Sequence, residues 1–301
     1  MTDNTSARIA DAAPPVVAAV DGSATSYRAA AWAAVDAALH RWPLQLVISV
    51  GTPSNWGPGA SMVPDDDPWV LRDAERILVE ATRIAKEAVG VEPITIDTHV
   101  TMTPIIPYLL ERSRHARAVV LGSRGLGAFR ASLLGSVSAT LVRQGHCPIT
   151  VVRDATATDP ASNRLPILVG VDGGPTAMPA LEYAFEQASH RKVDLIALHA
   201  WTDVSGGDPT GAHLDQVEAA EATVFAESMA GWTERYPDVS VERRLVHDRP
   251  AEALLDASEI AQLVVIGSHG RGGFTGMLLG STGNALVPAI DCPITVVRAP
   301  H

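Results

Sequence analysis

Aromatic side chains, cysteine and positive charge are all scarce in this chain. Phe, Trp and Tyr make up 5% of its 301 residues while hydrophobic residues make up 47%. A core must therefore be assembled from Val, Ile, Leu and Ala, the composition of buried parallel strands under Ala-rich helices rather than of an all-β sandwich. Lys and Arg number 23 against 34 Asp and Glu, a formal net charge of −11. So few cations leave little with which to neutralise a phosphate backbone, and no nucleic-acid partner is expected. No apolar run approaches the roughly 18 residues of a membrane span. The opening MTDNTSARIADAAPP has neither the basic nor the apolar segment of a secretory signal, so the expectation is a cytoplasmic protein without a membrane partner.

The two cysteines, Cys147 and Cys292, each stand in Cys-Pro-Ile at the same place of a repeat. Corresponding positions in separate domains are poor partners for a disulfide, and no CxxC pair points to zinc, so both are expected as small buried hydrophobes. The ten His show no metal-ligand spacing.

Glycine, by contrast, is written into the chain in a pattern that occurs twice. VLGSRGLGAFRASLLGS (Val120 to Ser136) returns as VIGSHGRGGFTGMLLGS (Val265 to Ser281). Around it PVVAAVDGS matches PILVGVDGG, LQLVISV (Leu44 to Val50) is matched with DLIALHA (Asp194 to Ala200), and HCPITVVR matches DCPITVVR, in the same order in both halves. Between the copies lies a polar, Pro-containing stretch without hydrophobic periodicity. The expected organisation is a domain over 1–153, a linker over 154–166 and a second domain over 167–301.

Within each half short apolar runs alternate with helical patterns. In the first, strands are expected at Val16 to Asp21, Leu44 to Val50, Ile94 to Val100, Ala118 to Gly122 and Ile149 to Val152. Helices are expected at Ser26 to Arg41, Trp69 to Val89, Ile105 to His115 and from about Ser136. Right-handed crossovers turn such alternation into an α/β, doubly wound, Rossmann-like unit of five parallel strands flanked by four helices, made twice. Two turn-rich inserts interrupt it, Gly51 to Pro68 with three acids at Asp65 to Asp67, and Thr202 to His213. A solvated loop suits the acids better than a metal cluster, because oxygen-ligand sites need wider spacing.

The repeated spacing is Gly, two residues, Gly, nine residues, Gly-Ser: Gly122, Gly125, Gly135 and Ser136, then Gly267, Gly270, Gly280 and Ser281. The first glycine ends a buried strand, where open α/β sheets bind ligands. The second lets the backbone turn its N–H groups inward, and the Gly-Ser opens a helix whose N-terminus favours an anion. Close approach or a disfavoured φ would explain glycine at 122 and 267. A plain turn and N-cap would account for Gly135 and Ser136 alone, but not for the whole repeated spacing. Asp21 and Asp172 end the first strand of each half in Val-Asp-Gly, beside the loop, where both a turn role and ligand contact are open to them.

VDGS or VDGG after strand one, G-x2-G-x9-G-S after strand four and the closing CPITVVR together resemble the universal stress protein family in its tandem, ATP-binding form, over about Val16 to Arg298. The resemblance implies ATP, with or without Mg on its phosphates. It places Asp21 and Gly22 against the nucleotide, Val50 and Leu121 beside the adenine, and Gly122, Gly125, Gly135, Ser136 and Val137 around ribose and phosphates. In the second half the same implication falls on Asp172, Gly173, Ala200, Ile266, Gly267, Gly270, Gly280, Ser281 and Thr282. One departure is Ala19 where the second half has Gly170, an extra methyl toward the adenine. The resemblance further implies pairing through the last strands, Ile149 to Val152 and Ile294 to Val297, within a chain or between chains as a homodimer.

Three functions compete: a nucleotide-binding sensor, an enzyme that hydrolyses ATP or transfers its adenylyl or phosphoryl group, and a structural oligomer whose glycine loops are relics, which the retention of every glycine in both halves disfavours. A hydrolase needs a positioned base or a metal beside the phosphates. The loops offer Arg124 and Arg130 in one half, His269 and Arg271 in the other, which differ between repeats, and no Walker lysine follows the glycines. A nucleotide-dependent sensor is the expected function, with a slow ATPase or nucleotide-dependent phosphotransfer enzyme as the alternative; a role in stress adaptation is what the resemblance implies. No downstream protein partner is legible.

Overall fold

The computed structural model describes residues 13–51, 68–125, 134–153, 162–202, 211–270 and 279–299. Most of both inserts, including Asp65 to Asp67, most of the linker, and Arg130 and Arg271 of the glycine loops lie outside the described residues.

The first half runs β1 (Val16–Ala19), α1 (Ala24–His40), β2 (Leu44–Ser49), α2 (Pro68–Val89), β3 (Ile96–Thr101), α3 (Ile105–Arg112), β4 (Ala118–Gly122), α4 (Ser136–Gln144) and β5 (Ile149–Val152). The second half repeats the order as β6 (Ile167–Gly170), α5 (Met178–Arg191), β7 (Leu195–Trp201), α6 (Gly211–Ser228), α7 (Trp232–Arg235), β8 (Val241–His247), α8 (Pro250–Ser258), β9 (Leu263–Gly267), α9 (Ser281–Ala289) and β10 (Ile294–Val297). The expected doubly wound α/β architecture is present twice, with the short α7 as an addition in the second half.

The ten strands form one sheet, in the order β3-β2-β1-β4-β5-β10-β9-β6-β7-β8. Every described pairing is parallel except that of β5 with β10, which is antiparallel and joins the halves. Its register sets Thr150 opposite Thr295, Val151 opposite Ile294 and Ile149 opposite Val296. Each ITVV motif thus pairs with its own repeat about a local two-fold through the two threonines, whose hydroxyl oxygens lie 2.8 Å apart. Since β5 and β10 occupy each other, homodimer formation through them requires two chains to exchange halves.

Local chemistry explains the elements. Ser23 caps α1 by accepting from the Ser26 N–H, and Arg41, in the left-handed region at φ 57°, closes it with its N–H on the Ala37 and Ala38 carbonyls. Lys192, at φ 55°, ends α5 in the same way. The alanine run Ala29 to Ala34, wholly or almost wholly buried apart from Trp32 at 5% exposure, lets α1 lie close on the strands. On α2, Ala74, Ile77, Leu78, Ala81 and Ala85 recur at helical spacing to make the buried stripe, while Glu80, Arg83 and Glu87 form ion pairs on the solvent side.

Strand side chains alternate between two apolar layers. Val16, Ala18, Leu44 and Leu46 pack with α1, α2 and α5 on one face. Val17, Val47, Val119 and Leu121 pack with α3, α4, α8 and α9 on the other. The edge strands β3 and β8 carry Asp97, Glu242, Arg243 and Arg244, charges that discourage further strand addition. Cys147 and Cys292 are buried, and desolvation pushes each thiol up to about 12. Among the described residues no helix is long and apolar enough to cross a membrane.

Candidate functional site

Because β6 lies between β7 and β9, the turn after β6 and the loop after β9 emerge side by side at the carboxyl edge of the sheet. There the second half has a cavity of about 450 Å3, within the roughly 300–1,000 Å3 of small-molecule sites. Asp172, Ala200, Ile266, Gly267, Gly270, Gly280, Ser281 and Thr282 all line it, so eight of the nine positions singled out in this half converge. The ninth, Gly173, shapes the turn beneath it with φ +77°, as Gly22 does in the first half with φ +87°.

Each strand-end aspartate combines two roles. Asp172 Oδ1 accepts from the Gly174 N–H at 2.9 Å, and Asp21 Oδ1 accepts from the Ser23 N–H at 3.0 Å and the Ser23 hydroxyl at 2.6 Å. Those are turn bonds. The other carboxylate oxygen faces the glycine loop: a Cβ on Gly270 would lie 3.1 Å from Asp172 Oδ2, and one on Gly125 would collide with Asp21 Oδ2.

The far end of each loop is tied back to its start. Gly135 N–H donates to the Ser123 carbonyl at 2.7 Å and Gly280 N–H to the Ser268 carbonyl at 2.8 Å. Gly135 and Gly280 are the N-caps of α4 and α9, in extended conformation and without a side-chain cap, so Ser136 and Ser281 are first helical residues and not caps. Both serines are exposed, at a helix start where free N–H groups and the dipole favour an anion. Val137 is half-buried against the α3/α4 layer.

Glycine at 122 and 267 is not explained by φ, because the positive-φ glycines among the described residues are Gly22, Gly90, Gly173 and Gly231. The two also differ. A Cβ on Gly122 would press on the Thr25 backbone carbon at 2.9 Å, whereas one on Gly267 would have its nearest neighbours, the His269 and Thr176 carbonyl oxygens, at 3.4 and 3.5 Å. Close backbone approach accounts for the first only.

Val50 does not join the constellation. It packs on the α1/α2 layer, while Ala19, Leu121 and Ala200 face the other layer. The register gives the reason: Val16 pairs with Leu44 as Ile167 pairs with Leu195, so the counterpart of Ala200 is Ser49. Matching LQLVISV with DLIALHA is displaced by one residue, and one residue along a strand changes face.

Sequence reasoning missed the apolar wall of Leu198, Pro250 and Leu254, and the polar Ser268; His269, which the loop sequence offered, lines the cavity as well. The wall comes from strand alternation and from the helix after β8, which no motif marks. It also missed Thr25 and Thr176, the same position of the two Val-Asp-Gly turns. Thr25 Oγ1 donates to the Arg124 carbonyl, and Thr176 Oγ1 to the His269 carbonyl at 3.4 Å, tying turn to loop in each half. Their recurrence in VDGSAT and VDGGPT was a readable signal. Gly170 lines the cavity, and a Cβ there would meet Leu254 Cδ1 at 3.0 Å; Ala19 stands at the equivalent position of β1.

Two doubly wound α/β units joined edge to edge, each with the ends of a glycine loop beside the turn after its first strand, define a tandem Rossmann-like protein. The chain belongs to the universal stress protein family, whose model matches residues 14–153 and again 164–298. A universal stress protein of Mycobacterium bovis is 43% identical over 288 residues, covering 94% of this chain and 96% of its own. One of Mycolicibacterium smegmatis is 39% identical over 291 residues, with the same coverages. In fold, a universal stress protein from Archaeoglobus fulgidus superposes with TM-score 0.66 at 20% identity, covering 95% of this chain and 96% of that one.

Proposed function

We propose that this protein is a cytoplasmic nucleotide-dependent sensor that binds ATP at one site in each half, in domains spanning 1–153 and 167–301. The observation that carries the reading is the division of the second-half cavity into an apolar wall, Leu198, Leu254 and Ile266, and a glycine-lined rim at the start of α9. A flat base suits the wall, and phosphates suit the rim with its outward N–H groups. Among the described residues Asp172 is the only carboxylate on the cavity wall. A Mg ion, if bound, would be held chiefly by the phosphates, and Asp172 is the one described wall residue that could reach it as a carboxylate. The first half repeats the glycine spacing with Ala19 in place of Gly170, and the extra methyl toward the base would favour occupancy of the second site first.

Isothermal titration of the full chain with ATP tests this, expecting two unequal sites, of which Asp172→Ala weakens one and Asp21→Ala the other. Absence of binding at millimolar ATP, or a preference for cyclic or non-adenine nucleotides, overturns it. Slow ATP hydrolysis is the second reading, and the placement of His269 on the cavity wall favours it. Under that reading His269→Ala abolishes turnover with ATP still bound; under the sensor reading turnover is negligible before and after.

A further inference from the structure

The seam between the halves contains a charge pair that has no repeat. Asp36 on α1 is fully buried, and its Oδ1 lies 2.9 Å from the guanidinium of Arg191 on α5, itself 7% exposed. Arg191 also lies over the Trp32 ring at 5.1 Å and bonds Gln187 of its own helix at 2.8 Å. The matched left-handed caps Arg41 and Lys192 set the equivalence of the two helices. By that equivalence Asp36 corresponds to Gln187, and His40 to Arg191.

The β5–β10 register is two-fold symmetric, so on the strands alone a half would pair equally well with its own kind. The helices above them break the tie. Two first halves would set each buried Asp36 against a His40, two carboxylates without a guanidinium. Two second halves would set each buried Arg191 against a Gln187, two guanidiniums without a carboxylate. Only unlike halves bury one of each, and a buried charge left without its partner is strongly unfavourable, more than the pair itself is favourable.

We propose that the Asp36–Arg191 pair makes this seam selective, so that a first half accepts a second half, of its own chain or of a second copy by exchange, and neither half accepts its like. The pair acts by excluding the wrong partner rather than by adding stability. Replacing it with apolar side chains should therefore preserve folding and lose discrimination.

The test uses the full chain with Cys147→Ala and Cys292→Ala, carrying either Thr150→Cys alone or Thr150→Cys with Thr295→Cys. Directly opposed antiparallel residues lie within disulfide reach. The proteins are refolded at about 1 mM, comparable to the effective concentration that a short tether imposes, and then oxidised. With the native seam the double variant is expected to form its 150–295 disulfide, and Thr150→Cys alone no disulfide-linked dimer. With Asp36→Leu/Arg191→Met the thermal midpoint is expected to hold, while dimers of the Thr150→Cys chain, linked through the thiol introduced there, rise by about tenfold or more. Equal dimer yields from native and apolar seams overturn the proposal. Should the apolar variant not fold, Asp36→Arg and the reversed pair Asp36→Arg/Arg191→Asp decide: the reversal is expected to recover the 150–295 disulfide that Asp36→Arg loses, and no recovery overturns the proposal.

Discussion

A Cβ on Gly270 would stand 3.1 Å from Oδ2 of Asp172, so the glycine loop after β9 and the acidic turn after β6 meet so closely that a methyl group there would make the carboxylate give by a few tenths of an ångström. Gly270→Ala should displace one against the other and weaken ATP binding at the second site by about 1–2 kcal/mol. Gly267→Ala, with its nearest contact at 3.4 Å, should leave the fold intact. Calorimetric affinities of the two variants check this, and an unchanged affinity for Gly270→Ala would separate the loop from the ligand.

Gly22 and Gly173 occupy the left-handed region, at φ +87° and +77°. Alanine at either should cost about 1–2 kcal/mol of folding stability. At Gly22 a Cβ would also meet Ile77 Cδ1 at 3.1 Å. Denaturant midpoints of the two single variants check this, and unchanged midpoints would contradict it.

With the Cys147 and Cys292 thiols pushed up to about 12 by burial, only about one thiol in ten thousand is ionised at pH 8, and thiolate is the reactive form. A disulfide reagent should find no fast-reacting thiol in the native protein and two after unfolding. Rapid native labelling of either would contradict their place in the core.

His40 is stacked between Trp42 and His190, at 4.2 and 4.1 Å. Burial holds its pKa below the ordinary 6.5, outweighing the attraction of Asp36. The unfolded chain therefore takes up a proton at this site before the folded one does. The neutral ring's contribution is complete well above pH 6.5 and is lost as pH falls from there toward the folded-state pKa. Urea midpoints between pH 7.5 and about 5 should fall for the native chain and fall less for His40→Gln; parallel slopes would assign the acid sensitivity elsewhere.

Alternation of short Val- and Ile-rich runs with helical stripes determined the doubly wound α/β class, because strand and helix periods are local properties of the chain. The doubled glycine spacing and the Val-Asp-Gly turns determined where each half presents its polar rim, since strand ends and helix starts are also local. What lies on which side of a strand was decided by register. Val50 fell on the wrong face, because a hydrophobic run buried on both sides reads the same when shifted by one residue. Leu198, Pro250 and Leu254 became a wall only when β7 and α8 were brought together from distant parts of the chain. The tertiary structure alone set β5 against β10 and Asp36 beside Arg191. Identical ITVV motifs carry no information about which copy they pair with, and a buried charge takes its meaning from the side chain that packing places opposite it.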